Sequence, residues 1–163
     1  MPESWVINAS PTILLAKVGL MEIVPKLTKK FVIPQPVVLK ILNVAGQDAA
    51  AVWLHASGKK FIRPAVTEPP SLSGSQLGPG ERAVISWAVA HPGFIAVLDD
   101  LEARVLGQRL GIRVIGTVGI VLRLKKAGLI AEAKSHLEKI REVGGYIGDD
   151  LFREALRQVG EKI

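Results

Sequence analysis

The chain of 163 residues has no cysteine, which removes disulfides, thiolate zinc sites and thiol nucleophiles together. Its three histidines, His55, His91 and His136, are scattered, with no pair at the i, i+4 spacing that puts two imidazoles on one helix face. Any metal would have to be held by oxygen. Aromatic residues are only 5% of the chain, and the three tryptophans, Trp5, Trp53 and Trp87, lie in patterned apolar segments, where core packing is a better reading than base stacking. No apolar run approaches the roughly 18 residues needed to span a bilayer, and Met1-Pro2-Glu3-Ser4 is not the basic start of a signal peptide. The expectation is a cytoplasmic protein without a membrane partner.

What is present is ordinary for a globular domain: 48% apolar and 22% charged residues, enough to build one core and too little charge for disorder. Lys and Arg outnumber Asp and Glu by 21 to 15, a net charge of +6. The excess is spread along the chain, so it suits an anionic partner such as nucleic acid and equally a solvated surface.

Five short β-branched runs recur with helical patterns between them: Trp5–Ile7, Lys30–Ile33, Phe61-Ile62, Phe94–Leu98 and Arg113–Ile115. Nearly all are apolar on both faces, the signature of parallel strands covered on both sides by helices. The predicted fold is α/β, a three-layer α/β/α sandwich with a central, mostly parallel sheet. Residues 1–163 are read as one domain on which C-terminal helices within 130–163 pack. Ser10-Pro11 is placed to open a first helix over 11–18, Pro36 a second, Asp48 to cap a third through about Ala56, and Gly80–Ala90 forms a fourth. Residues 66–79 form a Pro-, Ser- and Gly-rich surface loop. A long amphipathic helix is expected from Ile130, Ala133, Leu137 and Ile140, and a last helix capped at Asp149.

In an open parallel sheet ligands bind beyond the carboxyl ends of the strands. The fourth run delivers Asp99-Asp100 there, so one carboxylate can cap the helix Leu101–Leu110 while the other faces the cleft. Glu81 follows Leu77-Gly78-Pro79-Gly80 at a helix N-terminus, where the macrodipole favours a carboxylate whatever its use. That glycine run lacks the Lys-Ser/Thr of a P-loop and the spacing of a dinucleotide fingerprint. Thr117, between Gly116 and Gly119, can cap the next helix or meet a phosphate.

In this order the motifs resemble the PIN domain, in a bacterial and archaeal subgroup related to toxin-like nucleases. The stretches that carry the resemblance are Val6–Ile13, Ile33–Val37, Leu77–Glu81, Leu98–Arg104 and Gly116–Gly119. It implies a ribonuclease in which carboxylates from distant segments gather Mg²⁺ or Mn²⁺, hard ions that prefer oxygen. Carried over position by position, it implies Asp100, Asp99, Glu81 and Asn8 as catalytic residues. Asp100, Glu81 and Asp99 would face the metal, and Ser10, Lys40, Arg104 and Thr117 would contact substrate. The chain departs from the family pattern twice: Asn8 stands where an Asp usually ends the first strand, and Lys40 where a Glu usually follows in Val-x-x-Glu-Leu. The expectation drawn from this exchange is that Lys40 points into the cleft and pairs with Asp100 or Glu81, partly filling the role of a metal.

Two functions follow from the resemblance. One is a Mg²⁺- or Mn²⁺-dependent ribonuclease with a partly degenerate acidic site, the toxin of a pair with an antitoxin protein. The other is an inactive module of the same fold that binds nucleic acid or a protein partner. A homo-oligomer is expected in either case. A phosphoacceptor receiver domain fits poorly, because it needs an acidic pair where the first strand is followed by Asn8-Ala9.

Overall fold

In a computed structural model, described for residues 2–43 and 48–163 except the Asp48 side chain, all five predicted runs are strands. They are β1 (Glu3–Ile7), β2 (Thr28–Pro34), β3 (Ile62–Arg63), β4 (Phe94–Val97) and β5 (Val114–Ile115). Their order is β3-β2-β1-β4-β5, and every pairing is parallel. The centre of the sheet pairs Val6 with Ala96 and Ile7 with Val97, and all four side chains are fully buried. Burial on both faces is the reason these strands read as unbroken apolar runs and not as alternating ones.

The described connections hold eight α-helices: α1 (Ala9–Lys17), α2 (Gln35–Asn43), α3 (Asp48–Trp53), α4 (Pro79–Ala90), α5 (Leu101–Arg109), α6 (Thr117–Lys126), α7 (Lys134–Glu142) and α8 (Asp149–Gln158). α4 lies across β1, β2 and β4 with α2 and α5 beside it, and α1, α6 and α7 form a second group on which α8 packs through α6. The result is the predicted three-layer sandwich. Leu137, Ile140, Phe152, Ala155 and Leu156 of the last two helices belong to the same core as the strands. No helix among the described residues is long and apolar enough to cross a membrane.

Several boundaries differ from expectation, each for a local reason. α1 starts at Ala9 with Asn8 in the cap position, two residues before the predicted Pro11. Pro11 is accommodated because the first helical turn does not need its N–H. α1 ends where Gly19 turns to a φ of 77° and the Leu20 N–H reaches the Leu15 carbonyl at 2.9 Å, a left-handed cap that glycine supplies at low cost. α3 continues as a π-helical stretch, Leu54–Gly58, beyond the predicted end at Ala56; the cap expected from Asp48 rests on a side chain outside the described residues. Gly148 and Gly116 occupy the cap positions of α8 and α6, so Asp149 and Thr117 are first helical residues. The helix expected from Ile130 begins only at Lys134. The 66–79 loop is pinned by a 3-10 turn, Pro70–Leu72, whose Leu72 is fully buried.

The topology fixes where a ligand belongs. From β1 the chain moves outward through β2 to β3, then returns to β4 on the other side of β1. Connections therefore diverge between β1 and β4, and a crevice opens at their carboxyl ends.

Candidate functional site

At that divergence lies a cleft of about 960 Å³, lined by all eight residues singled out from the sequence: Asn8, Ser10, Lys40, Glu81, Asp99, Asp100, Arg104 and Thr117. Segments more than 100 residues apart in the chain meet there. Asn8 continues the line of β1, its N–H donating to the Val97 carbonyl at 3.1 Å. Its carbonyl accepts from the Thr12 hydroxyl at 2.8 Å, which steadies the turn into α1. The Asn8 side-chain amide donates to a carboxylate oxygen of Glu81 at 3.1 Å, and its Oδ1 is buried without a hydrogen-bond partner.

Glu81 reaches Asn8 because α4 presses its first turn against the end of β1. Gly80 makes that approach feasible: a Cβ there would lie 2.8 Å from Asn8 Oδ1, closer than atoms tolerate without movement. Gly78 in the cap position and Pro79 in the first turn start the helix. The sequence Leu77-Gly78-Pro79-Gly80-Glu81 thus sets a close helix-to-strand contact and leaves a carboxylate at its edge.

The two aspartates after β4 divide the tasks that the sequence left open between them. Asp100 caps α5, its Oδ2 accepting from the Ala103 N–H at 2.9 Å. Asp99 clasps the start of α6: its two oxygens accept from the Thr117 N–H at 2.8 Å and the Thr117 hydroxyl at 2.5 Å. β5 pairs with β4, so its end, Gly116-Thr117, arrives directly beside Asp99. Gly116 keeps the two ends close, since a Cβ there would lie 2.9 Å from Asp99 Oδ1 and 2.5 Å from Arg104 Nη1. Thr117 is buried and serves as the partner of Asp99.

Every hydrogen bond named above to these three carboxylates comes from a neutral donor. Lys40 and Arg104 line the same cleft, yet neither lies within ion-pair distance of Glu81, Asp99 or Asp100. The expected pairing of Lys40 with Asp100 or Glu81 is therefore absent: Lys40 sits at the exposed end of α2, where a solvated ammonium avoids the cost of desolvation.

The fit to a divalent ion follows from the donor set. Among the described residues no three acidic or imidazole groups come together so as to hold a metal. Mg²⁺ asks less, because it keeps several waters and is commonly bound through one or two carboxylates and substrate phosphates. Glu81 and Asp100 each keep one oxygen outside the hydrogen bonds described, and neither forms an ion pair. Such a set fits a weakly held, oxygen-bound ion and not a structural metal.

The sequence reading missed the far wall of the cleft. Tyr146, from the loop between α7 and α8, and Leu151 of α8 line the cleft while 95% and 50% exposed. The available signal was small: Tyr146 is the sole tyrosine, set in Gly144-Gly145-Tyr146-Ile147-Gly148.

Comparison with known proteins agrees with this geometry. The DUF3368 family model, described as a PIN domain, matches residues 4–161. No curated protein and no solved structure matches the chain. A match across nearly the whole sequence, over a parallel sheet with acids at its divergence, shows that the chain belongs to the PIN-domain family, within the superfamily of nucleic-acid nucleases.

Proposed function

We propose that the protein binds RNA in this cleft and hydrolyses its phosphodiester bonds with a weakly held Mg²⁺ or Mn²⁺. The observation that carries the reading is the grouping of Glu81, Asp99 and Asp100 in one cleft with no cation paired to them. Glu81 and Asp100 would hold the ion, which when bound supplies positive charge to a phosphate oxygen and to an attacking water. Asp99 sets the floor of the site by fixing Thr117. Lys40 and Arg104 give phosphate oxygens two cationic contacts that position the strand without reading its bases. Ser10, exposed in the first turn of α1, adds a hydroxyl on the same side.

The test is cleavage of a labelled RNA by purified protein with Mn²⁺ and with chelator, for wild type, Glu81→Gln and Asp100→Asn. These amides keep the hydrogen-bond acceptor and remove the charge. Mn²⁺-dependent cleavage that drops at least about tenfold in each variant is the expected result, the scale of one lost electrostatic contribution at the reacting phosphate.

A second reading, binding without cleavage, is favoured by one observation: Asn8 and Lys40 both line the cleft at the positions where the family pattern carries acids. Wild-type protein that binds RNA but cleaves none with any divalent ion, and gains cleavage in Asn8→Asp/Lys40→Glu, would establish it.

A further inference from the structure

We infer that Tyr146 is a stacking platform for an unpaired nucleobase, positioning the strand whose backbone enters the acidic cleft; the inference rests on the reading of that cleft as an RNA site. The ring lines the cleft and is 95% exposed, an unusual state for an aromatic side chain, which ordinarily buries most of its area.

The backbone beneath it is held on both sides. Before it, Gly144 takes a φ of 103°, and the Gly145 N–H donates to the Ile140 carbonyl at 2.9 Å. Gly145 is pressed so closely on α7 that a Cβ would lie 2.5 Å from Ile140 Cγ2 and 3.0 Å from that carbonyl oxygen. After it, Ile147 is buried, and its carbonyl accepts from Arg141 Nε at 3.0 Å. Arg141 is itself fixed, its guanidinium 4.2 Å from the Phe152 ring centroid and 3.1 Å from an Asp149 oxygen.

A loop anchored at both neighbours fixes the backbone that carries the ring, so only the side-chain rotamer remains to be ordered when a flat partner settles on it. The same cleft supplies Lys40 and Arg104, and a cationic groove beside an aromatic face is the combination that single-stranded nucleic acid engages through phosphate and base together. A paired base is already stacked on both faces, so the subsite selects a nucleotide free of duplex.

The experiment is equilibrium binding of fluorescein-labelled 2′-O-methyl oligouridylate, which resists cleavage through its 2′ oxygen, at low temperature with Ca²⁺ in place of Mn²⁺, to wild type, Tyr146→Ala and Tyr146→Phe. Each protein is also titrated with oligonucleotides carrying one abasic position. Tyr146→Ala is expected to bind roughly tenfold or more weakly, the effect of losing one stacked base, with Tyr146→Phe close to wild type. One abasic position should weaken wild type by a similar factor and leave Tyr146→Ala unaffected. Equal binding by wild type and Tyr146→Ala, or equal abasic penalties in both, would overturn the assignment while leaving the RNA site standing. Loss of self-association in Tyr146→Ala with RNA binding intact would show the ring to be a protein contact and overturn it too. Wild-type protein with no affinity for the oligonucleotide would remove the RNA reading itself and this inference with it.

Discussion

At the amino end of β1, Glu3 accepts hydrogen bonds from Arg123 at 2.8 Å, Arg113 at 2.9 Å and the Trp5 indole at 3.3 Å. At the carboxyl ends of β1 and β4, Glu81, Asp99 and Asp100 accept from an amide, backbone N–H groups and a hydroxyl. The strands are the same, and the treatment of negative charge differs. At one end each carboxylate oxygen has a guanidinium, and the arrangement ties β1 to the loop before β5 and to α6. At the other, three carboxylates line a cleft together with Lys40 and Arg104 and are oriented by neutral donors, with no ion pair formed. Like charge gathered in one cleft works weakly against folding, and the ion proposed above would relieve it. Departures from locally stable choices gather at functional sites for this reason.

The sharpest way to break the comparison is at Asp99, because its orientation by neutral donors is also structural. Asp99→Ala leaves the N–H and hydroxyl of buried Thr117 unpaired, and should cost about 3 kcal/mol in urea unfolding. Asp99→Asn retains one acceptor and can donate to the hydroxyl, so its loss should be well under half of that. An alanine variant as stable as wild type would show that the clasp does not hold α6 to the end of β4.

Asp100 gives a smaller and more discriminating effect. Asp100→Ala removes the α5 cap and should cost about 1 kcal/mol. Asp100→Asn keeps the cap acceptor and removes one of the carboxylate charges that line the cleft, so it should unfold close to wild type while losing the proposed Mn²⁺-dependent cleavage. A clear destabilisation of Asp100→Asn would mean that its charge is already compensated, and the contrast between the two ends would fail.

How much of this was legible in advance follows from the range of each interaction. β1, β2 and β4 could be read because burial on both faces writes itself into consecutive residues, while the two-residue β3 and β5, less buried at the sheet edges, left only short apolar runs. The aspartate pair could be placed at a strand end from the same pattern, and Glu81 at a helix start from the Gly-Pro-Gly run before it. Which aspartate capped and which clasped could not, since the partner of Asp99 arrives 18 residues later and only the β4–β5 pairing brings it there. The start of α7 was misjudged for a similar reason: Ile130 and Ala133 fit a helical period, but the N–H groups of Ala133 and Lys134 are taken by the Glu161 carboxylate at 2.6 and 3.0 Å, a cap supplied from the far end of the chain. Tyr146 left no periodic trace, because one exposed ring on a glycine loop has no pattern to complete.

The smallest predicted effect tests the neutralised end by acid. Burial raises the Glu3 carboxyl, but the hydrogen bond and charge of Arg123, joined by Arg113 and the Trp5 indole, outweigh it and hold the group below its ordinary value of 4.5. A carboxyl depressed in the folded state stabilises fully above its unfolded pKa, and that contribution is lost as pH falls through the folded value. Glu3→Gln should therefore lower stability by less than about 1 kcal/mol at neutral pH, since Arg113 is largely exposed and solvent screens such pairs. The deficit relative to wild type should shrink to nothing as pH drops below 4.5 and through the depressed value. A gap between Glu3→Gln and wild type that stays constant as pH falls through that value would mean that the two guanidinium groups do not hold this carboxyl in its ionised form.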